Sequence, residues 1–222
     1  MALSNYTELQ AAIVSELRRT DLTANIPDFI ARAEAKINRK VRLRGQEDLY
    51  TWTYDTGATD KFLALPAGFV ELLSLKIKGS TSEDRDYREL RYIEPSRFHL
   101  YYIGSSGKPE RYTLRNQIEI DRLPGESYAV RMHYLKQWDI ATDTTNWLLT
   151  NYPDAYLYGS LAEASLFIKN DSRVPIWKSL FEEALSELDL LDERSRNDAV
   201  LDTHEYTSDR RAYGYRIVND DY

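Results

Sequence analysis

Apolar residues recur every three to four positions near both ends of this 222-residue chain and alternate across its middle. A helix buries a stripe with a period near 3.6, whereas a strand buries every second residue, so one layer cannot satisfy both patterns. The chain is therefore expected to build a helical part from its two ends and a β part between them.

At the first end, Tyr6, Leu9, Ile13 and Leu17 share a helical face within Asn5 to Arg19. Asn5 is the expected cap, and Glu8 completes a capping-box pattern. A second helix opens at Asn25, with Pro27 in its first turn. Its stripe is Ile26, Phe29, Ile30, Ala33, Ile37 and Val41, and the short link "RTDLTAN" makes the pair an αα-hairpin. Helical spacing returns at Asn151, the expected cap of a third helix whose stripe is Leu157, Leu161, Ala164 and Ile168. Gly159, Ser160, Ala162 and Ser165 leave room there for a close neighbour. Val174, Trp177, Phe181, Ala184, Leu188 and Leu191 line a last helix running to about Arg196.

Between these lie "DLYTWTYDTG", two runs in "KFLALPAGFVELLSLKIKG" divided by Pro66-Ala67-Gly68, and "RDYRELRYIEP". "GKPERYTLRNQIEIDRLPGESYAVRMHYLKQW" reads as three strands with turns at Arg115-Asn116 and Pro124-Gly125. "SRFHLYYIG" reads as a short helix capped by Ser96. The expected fold class is α+β: a four-helix bundle of two αα-hairpins from residues 1–45 and 141–198. An antiparallel β-rich region is inserted at 46–140, and an extended C-terminal arm occupies 199–222.

The residue types restrict the chemistry. With no cysteine, disulfides, thiolate zinc sites and cysteine nucleophiles are excluded. His99, His133 and His204 lie in separate segments, and no phosphate-cradling glycine motif or GxSxG elbow occurs. Glu182, Glu183, Asp189, Asp192 and Glu193 fall on the polar face of the last helix, which reads as a solvated surface. The alternative is a peptidoglycan glycosidase using two carboxylates. No catalytic residue, cofactor or metal site is expected. The opening "MALSNYTELQAAIVSELRR" lacks a basic leader and an unbroken apolar run, so no signal peptide is expected, and no segment has the length of apolar sequence that spans a membrane. The formal net charge of −7 opposes general adhesion to nucleic acid.

Partners are the more informative question. The 17 tyrosines suit either strands or protein interfaces. Arg39, Lys40, Arg42 and Arg44, in "RKVRLRG", can meet phosphates or a neighbouring chain, or serve as the cations that a helix C-terminus favours. "DRRAYGYR", at 209–216, alternates arginine with tyrosine, the residue types that dominate protein contact energies. It reads as a segment that orders on a partner, against the alternative of a solvated tail. The aromatic stretch from Trp147 to Tyr158 reads as a hydrophobic plug where the chain returns to its helices, not as a ligand pocket.

Through "IPDFIARAEAKINRKVR", "FLALPAGFVELLSLKI", "YIEPSRF", "GKPERYTLRNQIEIDRLPGESYAVRMHYLK" and "TNWLLTNYPDAYLYGSLAEASLFIKND", the chain resembles the head-to-tail adaptor (connector, or head-completion) proteins of tailed bacteriophages, particularly short-tailed ones. The resemblance implies a ring, usually of twelve copies, docked beneath the portal protein in the virion neck. Such a ring extends the DNA channel, lets DNA pass without sequence-specific binding, and offers a platform to tail nozzle or fibre proteins. It also implies a C-terminal segment that grips the portal, with Tyr206, Arg210, Arg211, Tyr213, Tyr215 and Arg216 as its contacts. A stopper or tail-tube protein is the nearest alternative among virion parts.

Overall fold

A computed structural model describes residues 3–79, 81–101, 106–165, 167–168 and 172–209, with side chains followed as far as Leu191. The described residues contain six α-helices and two four-stranded sheets. They divide into two compact units: Gly45–Asp139, and the flanking segments up to Arg44 and from Ile140 onward.

In the flanking unit, α1 (Tyr6–Leu17) and α2 (Ile26–Lys40) form as their stripes require. Every residue of the α2 stripe, Ile26 through Val41, is buried. Asn5 caps α1 by accepting from the Glu8 backbone N–H at 2.9 Å. Glu8 does not close the reciprocal half of the box on Asn5; its carboxylate accepts from the Ser4 N–H and hydroxyl at 2.8 and 2.7 Å. Asn25 precedes α2, but its side chain caps nothing, since a 3-10 turn at Thr23–Asn25 already leads the chain in.

The four-helix bundle expected from the sequence is not what forms. The return to helix is broken into α3 (Ile140–Asp143), α4 (Trp147–Asn151) and α5 (Pro153–Ala164). Asn151 is the last residue of α4 and not a cap; Asn146 caps that helix, accepting from the Leu149 N–H at 2.8 Å. Pro153 restarts the helix because a missing N–H costs nothing in a first turn. α5 is buried nearly all round, through Ala155, Tyr156, Gly159, Ser160, Leu161, Ala162, Glu163 and Ala164. It packs against α1, α2, α4 and the long α6 (Val174–Asp209), so one central helix organises the unit in place of two equal pairs. α6 also runs on to Asp209, past the end its apolar stripe suggests, and Leu191 is partly exposed at 37%.

The second unit contains β1 (Glu47–Tyr54), β2 (Phe62–Leu63), β3 (Phe69–Gly79), β4 (Arg88–Glu89), β5 (Arg91–Tyr92), β6 (Arg111–Leu114), β7 (Ile118–Ile120) and β8 (Tyr128–Lys136). One sheet is ordered β1-β8-β3-β4 and the other β2-β7-β6-β5. Leu75, Ile77, Val130 and Met132 of the first join Leu63, Tyr112, Ile118 and Ile120 of the second in one core, as two sheets covering each other's apolar faces must. Gly68, at φ +72°, divides the two runs at the expected place, a conformation that glycine adopts without strain.

The pairing is antiparallel except between β5 and β6, which run parallel. The exception arises where the chain leaves the first sheet after β4, buries Leu90 and enters the second sheet directly as β5. "SRFHLYYIG" gives only a 3-10 turn at Phe98–Tyr101, anchored by buried Phe98.

Candidate interaction surfaces

Two buried polar arrangements fix the scaffold. In the helical unit, Glu34 of α2 is 7% exposed. Its carboxylate accepts from the Tyr156 hydroxyl of α5 at 2.6 Å and from the Ile140 N–H at the start of α3 at 2.9 Å. Tyr156 in turn accepts from the Asn146 amide at 2.7 Å. A buried carboxylate is tolerable only when hydrogen-bonded, and here three helix starts meet at that requirement. The plug at 147–158 is thus made by Leu148, Leu149 and Tyr156, all fully buried, while Trp147 is 42% exposed and lies against Tyr152.

In the sandwich, Asp121 is fully buried. It accepts from the Glu110 N–H at 3.2 Å and lies within 3.7 Å of the Arg111 and 3.4 Å of the Arg122 guanidinium. Burial, reinforced by the charges of Asp60 and Asp121, pushes the Tyr54 hydroxyl up to about 12. Burial, with Asp48 beside it, does the same for Tyr134. The tyrosines therefore divide: Tyr54, Tyr112, Tyr128 and Tyr134 are core, while Tyr50, Tyr92 and Tyr101 are exposed.

Arg39 and Lys40 are exposed and line a cleft of about 320 Å³ between α2, α5 and α6. Lys36, Lys178, Glu163 and Glu182 complete its polar rim, with Ala162 and Phe181 among its lining. Lys36 is paired with the nearly buried Glu163. Arg42 and Arg44 are exposed beyond the end of α2 and do not line this cleft. Lys36, Arg39 and Lys40 stand at helical spacing on one face, the signal by which sequence reading can group them. Lys178 and Glu163 carry no such signal, because they join from other helices.

Glu182, Glu183 and Asp189 are exposed on α6. Among the described residues no group of three potential ligands could hold a metal ion. No described helix is long and apolar enough to cross a membrane. Tyr206 falls on the backbone of α6, outside the described side chains. Arg210, Arg211, Tyr213, Tyr215 and Arg216 lie outside the described residues altogether.

What these units present is contact surface: a cationic cleft, the exposed Leu49 and Tyr50 of β1, and a long terminal helix. The model of the SU10 adaptor protein family matches residues 4–203, and the chain belongs to that family. It is a phage head-to-tail adaptor, a structural protein of the virion neck that works in contact with other virion proteins. No curated protein sequence matches it.

Proposed function

We propose that copies of this chain assemble into a ring, twelve-membered as the family resemblance implies, beneath the portal protein. The ring continues the DNA channel and carries tail nozzle or fibre proteins on its far side. The family match over residues 4–203 is the observation that supports this reading. The form of α6 agrees with it. This helix has 36 residues and is about 54 Å long. Its described stripe, Trp177, Phe181, Ala184, Leu185 and Leu188, anchors the first turns. The remainder leads to the arginine–tyrosine segment, where Tyr206, Arg210, Arg211, Tyr213, Tyr215 and Arg216 are the proposed portal contacts. A net charge of −7 suits a conduit along which DNA slides without adhering.

The test is electron imaging of the full chain, alone and mixed with the portal protein of the same virus. Rings seated on the portal are expected. A chain that stays off the portal under every assembly condition overturns the reading.

A further inference from the structure

Beside its buried stripe, α6 carries a second one that the subunit leaves uncovered. Ile176, Leu180, Glu183, Glu187 and Leu190 recur at intervals of four and three. The first four each stand one position before a buried residue, Trp177, Phe181, Ala184 and Leu188, so they lie about 100° round the helix from the core. Ile176 is 58% and Leu190 53% exposed, Leu180 is half-buried, and both glutamates are exposed. Lys178 and Glu182 stand one position after Trp177 and Phe181, on the opposite flank, where α6 lines the cationic cleft.

That cleft holds more cations than its own carboxylates satisfy. Lys36 is paired with Glu163. Arg39, Lys40 and Lys178 form no ion pair among the described residues, and Glu182 is the remaining acid in the rim. Glu183 and Glu187 on the other flank likewise form no ion pair among the described residues. One helical unit therefore presents spare cations on one side of α6 and spare acids, set between apolar residues, on the other.

We propose that the Ile176–Leu190 stripe of one copy docks on the Arg39–Lys40–Lys178 cleft of the next, repeating from subunit to subunit around the ring. This deepens the ring reading and rests on it. The two faces are complementary in charge, and Ala162 and Phe181 line the cleft where the stripe brings apolar side chains. Unlike faces make a heterologous contact, the kind that closes into rings, whereas a stripe against its own copy would set glutamates together. With α6 leading toward the portal, its axis follows the ring axis. Flanks about 100° to either side of the core are then about 160° apart across the solvent side. A twelve-membered ring asks for two contact faces about 150° apart. A phosphate backbone is the competing partner for such a cleft, but Glu163 and Glu182 in its wall oppose a polyanion. Five residues from the stripe are far fewer than the roughly 20–30 a side of a standard interface, so this contact closes once the portal holds neighbours side by side.

Charge reversal tests the pairing. Glu183→Arg/Glu187→Arg chains and Arg39→Glu/Lys40→Glu chains, each alone, should give about tenfold fewer portal-bound rings than the native chain. An equal mixture of the two should restore them, because each reversed face then meets its complement in an alternating ring. Thermal melts near that of the native chain establish that the variants fold. Glu183→Gln/Glu187→Gln, which removes charge and keeps a good helix former, should give a smaller loss in the same direction. Native-like ring yields from both reversed variants overturn the contact and leave the ring standing. Two defective variants that stay defective when mixed also overturn it, since the faces then fail to recognise each other. Arg39→Glu/Lys40→Glu chains that form rings normally but no longer retain a DNA duplex overturn it in favour of phosphate. If no ring forms from the native chain, both proposals fall together.

Discussion

The Tyr156 hydroxyl donates to the Glu34 carboxylate at 2.6 Å, joining α5 to α2 across 122 positions of sequence. Tyr156→Phe keeps the ring and removes the donor, leaving Glu34 with the Ile140 N–H among its partners. A hydrogen bond to a buried charge contributes about 1.5–3 kcal/mol, so the variant should unfold that much more easily in urea. An unchanged midpoint would show that the carboxylate finds water instead.

Gly159 of α5 faces both α2 and α6. A Cβ there would lie 2.8 Å from Phe181 Cε2 and 3.1 Å from Ala33 Cβ. Gly159→Ala should therefore destabilise by about 1–3 kcal/mol despite alanine's better helix propensity. Combining it with Phe181→Leu should recover part of the loss, measured as a double-mutant cycle.

Trp177 is 5% exposed, and the Arg173 guanidinium stacks 4.9 Å from its ring while donating to the Glu16 carbonyl at 2.8 Å. Trp177→Ala empties a large volume at the start of α6 and should cost about 3–5 kcal/mol. A thermal melt close to that of the native chain would contradict its place in the core.

Two tyrosines should titrate late. Tyr54 and Tyr134 are held near 12, above the ordinary tyrosine value of about 10, because burial disfavours the phenolate. As pH rises from about 10 to 12 the unfolded chain loses these protons while the folded chain keeps them. Stability is thus fully present below pH 10 and is lost progressively above it. Absorbance at the tyrosinate band should show a late step that shrinks in Tyr54→Phe and again in Tyr54→Phe/Tyr134→Phe. The same substitutions should flatten the alkaline fall in melting temperature.

Removing residues 210–222 deletes most of the proposed portal contacts and leaves every described element in place. The melting temperature should hold within a degree or two, while binding to portal, measured by co-sedimentation, is lost. A large drop in melting temperature would assign the segment to the subunit's own core.

The α2 stripe was legible because period and burial coincide: Ile26, Phe29, Ile30, Ala33, Ile37 and Val41 are all buried, whereas Leu157, Ile168 and Val174 of the later stripes are only half-buried. Gly159 and its small neighbours correctly announced a close approach, but not that α5 is enclosed by four helices. A stripe marks one buried face, and a helix buried on every face has none to mark it. The break at Pro153 was misread because Asn146 and Asn151 are equally good caps locally, and only the packing of Leu148 and Leu149 chooses between them. β2, β4 and β5, with two residues each, are too short to show a period at all. The cationic cleft was half visible: Arg39 and Lys40 share a helix, whereas Lys178 reaches it from α6.

Because the sandwich is continuous in sequence and the helical unit is not, the two cannot mature at the same moment on the ribosome. Gly45–Asp139 can close as soon as it emerges, but α1 and α2 must wait for a covering helix encoded more than a hundred codons later. Until then the Ile26–Val41 stripe has only α1 and the turn before it to rest on. The nascent chain's exposure to misassembly is concentrated in that interval, and it ends with the synthesis of α5.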